Sequence, residues 1–161
     1  MAERDIDRIH QCFAAQGWRK DKAVLTRYFS AQENREAFAF IAQVQDDIAG
    51  YAVLFLDSKH GPFARQGVPH ICDLNVFVKH RNKGVANKIL DEAEARAFEI
   101  AGKVALGVGL HDGYGAAQRI YVKRGYVPDG SGVWWRDARL AQYAECRNDD
   151  DLILYFCKET T

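Results

Sequence analysis

The sequence predicts an α/β fold of the α+β kind, and three stretches predict it. Residues 5–33 carry apolar side chains at helical spacing. Residues 37–56 switch to the two-residue period of strands. Residues 70–100 run from an apolar strand through a basic turn into an amphipathic helix. At 161 residues the simplest organisation is one domain over 1–161, long enough to bury a core.

Taken in order, a first helix is expected over 5–16, with Ile6, Ile9 and Phe13 on one face and Gly17 as its stop. A second covers 21–33, with Asp21 as cap and Val24, Leu25, Tyr28 and Phe29 inward. The runs 37–44 and 48–56, joined by Gln45-Asp46-Asp47, read as a β-hairpin. Residues 57–69, punctuated by Gly61-Pro62, Gly67 and Pro69, read as a loop. Ile71–Val78 has the length and β-branched content of one buried strand. Beyond the turn, Val85, Ile89, Ala93, Ala97 and Ile100 mark the inner face of a helix. Val104–Leu110 is a further strand, and 114–124 a short helix ended by Gly125. Strand is expected on either side of a turn at 128–132 (Tyr126-Val127 and Val133–Trp135), with 136–150 irregular and Leu152–Phe156 as the last strand.

The turn Lys79–Ala86 points to an anion. The first turn of a helix leaves backbone N–H groups without intrahelical partners, and the helix dipole places partial positive charge there. Gly84 and Ala86 keep those amides approachable, and Arg81 and Lys83 add two cations. Phosphate or pyrophosphate is the natural guest.

The spacing Arg81-x-x-Gly84-x-Ala86 after an apolar strand resembles the acetyl-coenzyme A signature of the GNAT superfamily of N-acetyltransferases. A second segment, Ala117–Tyr126, resembles the helix of that family that carries Ala, then Tyr, then Gly followed by an aromatic. The resemblance runs from the first helix to the end of the chain. It implies a mixed central sheet with helices on both faces. Members of that family usually open with a strand before the first helix, and here Met1 stands almost at that helix. Either the fold manages without that edge strand, or the chain starts late relative to its relatives.

The resemblance also implies a site. Acetyl-CoA would be the co-substrate, with its pyrophosphate on Arg81, Asn82, Lys83, Gly84, Val85 and Ala86 and its pantetheine arm along Val76, Phe77 and Val78. Tyr121 would be the acid that protonates the departing thiolate, a role a positioned hydroxyl can fill. Tyr114 stands where relatives often carry a cofactor-contacting Asn. For the general base the residues leave three options. Asp73 lies on the strand before the turn, His111 offers an imidazole, the side chain type suited to such proton transfer, and a water chain would need neither. A direct attack by a primary amine of a small molecule or peptide follows. The rival is an acyl-CoA-binding module of the same fold that regulates or scaffolds without catalysing.

Gly107-x-Gly109 with Gly113 imitates a dinucleotide-binding loop, but the third glycine comes one residue late. Within the family reading, those small residues would let the pantetheine arm approach.

Composition narrows the partners. Lys plus Arg and Asp plus Glu number 22 each, so no global field favours nucleic acid or an anionic membrane. No apolar run approaches the roughly 20 residues of a membrane span, and the first residues lack the apolar core of a signal peptide. Cys12, Cys72, Cys146 and Cys157 show no Cys-x-x-Cys pair, so buried free thiols and a cytoplasmic home are expected. The five histidines lack ligand spacing, and no metal is expected. Asp149–Asp151 reads as a solvated turn. Trp18, Tyr28, His60, Phe63, Trp134, Trp135 and Tyr143 could hold an amine, fill the core or meet a second copy in a homodimer.

Overall fold

The computed structural model describes residues 1–160. Among them lie four helices and seven strands, a mixed α/β fold, in two compact units. The first comprises Met1–Leu56 with Ile71–Arg96, the second Asp57–His70 with the chain from Ala97 on.

In the first unit, Arg4–Ala15 forms helix α1 and Lys22–Glu33 helix α2. Asp21 caps α2 as expected, its carboxylate accepting from the Ala23 N–H at 2.8 Å. Ala37–Val44 (β1) and Asp47–Phe55 (β2) pair antiparallel through a two-residue loop, with Gln45 at φ 55°. His70–Val76 (β3) is the neighbour of β2. Ile9, Phe13, Leu25, Tyr51 and Phe77 are buried together, with the Phe13 ring 5.3 Å from Phe77 and edge-on to it. The strand pattern overshoots at its end. β3 stops at Val76, and Val78–His80 is a single 3-10 turn.

Val85–Ile100 forms helix α3. Its expected inner face is corrected at two places. Ile100 is exposed, whereas Glu94 is buried, so the stripe drifts toward Leu90 and Glu94. A 3.6-residue period cannot keep a four-residue spacing on one face over sixteen residues.

In the second unit, Lys103–Gly109 (β4) pairs antiparallel with Leu152–Glu159 (β7). Gly115–Lys123 is helix α4, preceded by a 3-10 turn over Asp112–Tyr114. The chain between Val127 and Trp135 corrects the expected turn. It is one strand, β5, paired with β7 on both sides of a bulge over 129–132. The turn-like residues relieve a register shift between two strands that never separate. Arg136 and Asp137, both at positive φ, turn β5 into a short strand Ala138–Arg139 (β6), inside a stretch expected to be irregular. Phe63, Ala105 and Tyr155 centre the core of this unit, with Trp134 edge-on to Tyr155.

Cys72 and Cys157 are half-buried in β3 and β7 rather than fully buried, Cys12 is also half-buried, and Cys146 is exposed. All four are free thiols. No helix is long and apolar enough to cross a membrane among the described residues.

Candidate active site

In the first unit, the turn that leads into α3 is built by two left-handed residues, Asn82 at φ 58° and Gly84 at φ 79°. A Cβ at Gly84 would meet nothing within 4 Å, so conformation, not crowding, asks for glycine there. Among the described residues no backbone carbonyl accepts from the N–H groups of residues 82–86, whereas the Lys88 N–H already bonds the Gly84 carbonyl at 3.1 Å. The amides leading into this sixteen-residue helix are therefore without carbonyl partners, as the first turn of a helix leaves its donors. The two cations are less loosely held than surface residues usually are. Arg81 donates from Nε to the Val76 carbonyl at 3.1 Å and lies over the Trp18 ring at 4.9 Å. Lys83 donates from Nζ to the Lys79 carbonyl at 2.9 Å.

Val76, Phe77 and Val78 differ in what they offer. Phe77 is a core side chain and its N–H is spent on the Ala49 carbonyl at 3.0 Å. Val78 is exposed, and its N–H is held by the Gln16 side chain at 3.0 Å. Gln16 was not foreseen, because nothing local marks a helix-end glutamine as the partner of a distant strand end.

Asp73 sits in β3 at φ 52°, a left-handed kink that turns its carboxylate into a cluster of polar side chains. Oδ2 accepts from the Tyr51 hydroxyl at 2.7 Å and is ion-paired with the Lys20 ammonium. Oδ1 accepts from the Asn75 amide at 2.8 Å. Burial, and next the Asp73 charge, push the Tyr51 and Tyr28 phenols upward, so both remain protonated donors. Burial and the same carboxylate raise the Cys72 thiol to about 12. Both Asp73 oxygens are thus engaged.

In the second unit, Tyr121 lies on α4, buried, with its ring 5.8 Å from that of Tyr126. His111 follows β4. Its Nδ1 accepts from the Gly113 N–H at 3.1 Å, so the proton of the neutral ring is on Nε2, which donates to Asp150 at 3.0 Å. The Tyr114 hydroxyl donates to the same Asp150 oxygen at 3.0 Å. Hydrogen bonds from His111 and then Tyr114 hold the Asp150 carboxyl below the usual range. The acidic run is therefore more than a solvated turn, since Asp149 also accepts from Trp135 Nε1 at 3.3 Å.

Gly107 and Gly109 have a different purpose from the one expected. A Cβ at Gly109 would run into the Tyr114 ring, and one at Gly107 would come 2.9 Å from Ile153 Cγ2. Side chains of this unit fill the space that their missing Cβ atoms leave. The aromatics proposed for an acceptor also divide. Phe63 is core, Trp134 donates to the Ser131 hydroxyl at 2.7 Å, and Tyr143 is exposed. No group of three or more His, Cys, Asp or Glu side chains is placed to hold a metal ion among the described residues.

No curated protein sequence matches the chain. Solved structures similar to it include the ribosomal-protein-alanine N-acetyltransferase of Brucella melitensis, at 15% identity and a TM-score of 0.71, covering 99% of this chain and 97% of that one. The ribosomal-protein-S18-alanine N-acetyltransferase of Escherichia coli is similar at 12% identity and a TM-score of 0.66, covering 99% and 90%. yncA of Salmonella typhimurium, solved with its cofactor acetyl-CoA, is similar at 12% identity and a TM-score of 0.69, again covering 99% and 90%. At such identities these likenesses show the fold. The model of the acetyltransferase (GNAT) family matches residues 4–126, from the start of α1 to the aromatic after Gly125, and the chain belongs to that family.

Proposed function

We propose that this protein is an N-acetyltransferase that moves the acetyl group of acetyl-CoA to a primary amine of a small molecule or peptide, by direct attack in a ternary complex. The observation that carries the proposal is the run of amides at 82–86 that no backbone carbonyl engages, at the head of α3 and beside Arg81 and Lys83. That set of donors fits the pyrophosphate of a coenzyme. When bound, acetyl-CoA supplies a thioester carbonyl as the electrophile. Gly84 and Asn82 hold the amides in place, and Val76 to Val78 offer an edge to the pantetheine arm once Gln16 releases the Val78 N–H. Tyr121 gives its phenolic proton to the departing sulfur. Neither Asp73 nor His111 presents an idle acceptor atom, which favours solvent as the route for the amine's proton. The relatives named for ribosomal-protein alanine acetylation put a protein N-terminus among the acceptors to try. A cytoplasmic, metal-independent enzyme is part of the same proposal.

Free thiol released from acetyl-CoA in the presence of an amine panel (polyamines, aminoglycosides, amino acids and peptides) is the test. Tyr121→Phe is expected to lower kcat on the order of 10²-fold while leaving the coenzyme Kd nearly unchanged. Wild-type turnover by that variant would remove Tyr121 from the mechanism. No thiol release with any amine, beside retained acetyl-CoA binding by calorimetry, would favour the non-catalytic acyl-CoA-binding module.

A further inference from the structure

The Asp73 cluster is more than a structural ion pair, because of what surrounds the ammonium. Lys20 belongs to the link between α1 and α2, and its side chain runs inward until it is 18% exposed. Its Nζ is ion-paired with Asp73 and lies 5.8 Å from the centre of the Phe13 ring and 6.0 Å from that of Tyr28. A carboxylate on one side and two aromatic faces on others are what a desolvated alkylammonium requires. Tyr51, 1% exposed, fixes the carboxylate by donating to the same oxygen, and Asn75 fixes the other. The cage is thus held rigid by residues of β2 and β3, while its occupant arrives on a link without regular structure.

Two rings alone do not mark the site, since Lys158 also lies 5.9 Å and 5.8 Å from the centres of the Phe98 and Tyr126 rings. The mark of the Lys20 site is a carboxylate held through both of its oxygens beside the rings. We infer that Phe13, Tyr28, Tyr51 and Asp73 form a binding site for the primary ammonium of an unbranched alkyl chain, and that Lys20 is an internal occupant which such a ligand displaces. Asp73 precedes Val76 by three residues, about 10 Å of extended chain, so a guest in the cage lies along the strand assigned to the thioester arm. This gives the acceptor a class, a linear primary amine such as a lysine side chain or a diamine. That last step rests on the acetyl-transfer reading, whereas the cage itself does not.

Removing Lys20 to the β-carbon deletes three carbons and the ammonium, the atoms of n-propylammonium. In Lys20→Ala, n-propylammonium chloride at ten times its Kd is expected to raise the Tm by about 3–6 °C. Wild type should gain less than Lys20→Ala, because the amine must first displace Lys20, but more than sodium chloride of equal ionic strength gives. No gain in wild type would leave Lys20 a structural partner and overturn the displacement. Lys20→Ala/Asp73→Asn should gain no more than sodium chloride gives. Uncharged n-propanol should not substitute. An equal rise in all three proteins, or none in Lys20→Ala, overturns the inference. If Lys20→Ala does not fold alone, refolding it in n-propylammonium against sodium chloride decides instead. Recovery of the native circular dichroism only in the amine supports the cage, and equal recovery or none in both overturns it. Acetyl-CoA takes no part in these measurements. A Tm response without thiol release from any linear amine would therefore sink the acetyl-transfer reading and leave the cage standing.

Discussion

Asp73 and His111 are both candidate bases on the ends or kinks of strands, yet their surroundings differ in kind. Asp73 is 15% exposed and engaged by side chains from the α1–α2 link, β2 and β3. His111 is held by its own loop through Gly113 and by Asp150, whose side chain is 79% exposed. The first cluster is desolvated and tied by contacts distant in sequence, so its charges interact strongly and each loss leaves a partner stranded. The second is solvated, and water can replace any member at little cost. An acid–base residue read from location alone therefore says little about its availability.

The largest effect that separates the two comes from truncation. Asp73→Ala strands the Lys20 ammonium and the Tyr51 hydroxyl, and is expected to cost about 2–4 kcal/mol in urea unfolding. Asp150→Ala is expected to cost under about 0.5 kcal/mol. Similar costs for the two would erase the contrast. Replacing the pair together, Lys20→Met/Asp73→Leu, should recover a good part of the Asp73→Ala loss, as an apolar pair no longer needs a counter-charge.

A half-buried histidine in the second unit sharpens the point that solvation, not location, sets the scale. The Ser58 hydroxyl donates to the His60 carbonyl at 2.8 Å and so accepts from His70 Nδ1 at 3.0 Å. Burial, and then His60, hold His70 down at about 4. Because the unfolded chain takes up this proton near pH 6.5, stability is full above that value and falls as pH drops toward about 4. The slope contributed is at most about 1.4 kcal/mol per pH unit. His70→Gln should flatten the stability profile between pH 6 and 4.5, and an unchanged slope would show that His70 takes up its proton without loss.

The smallest effect falls on Asp150. If His111 is only a loop residue, Asp150→Asn should change kcat/KM less than about twofold, since an exposed hydrogen bond is worth a fraction of a kcal/mol. A tenfold loss with a shifted alkaline or acid limb of the pH–rate profile would restore His111 as the base.

Local pattern made much of this molecule readable. Asp21 caps α2, the hairpin pairs over residues 37–55, and the Arg81–Ala86 turn opens α3. Each depends on neighbours a few residues apart, which sequence displays directly. The family followed from two such local motifs, the Arg81–Ala86 turn and the Ala117–Tyr126 helix, and the match over residues 4–126 covers both. Tertiary structure alone decided the rest. Lys20 and Asp73 stand far apart in sequence, and no periodicity pairs a link lysine with a kinked strand. Pro128–Gly132 carries every mark of a turn, but pairing with β7 on both sides makes it a bulge. Gly109 is a glycine because Tyr114 folds back upon it, and Asp150 is an anchor because His111 and Tyr114 reach it. Desolvation and long-range contact exist only once the chain has closed on itself, so what a charged side chain touches is a property of the fold and not of its local sequence.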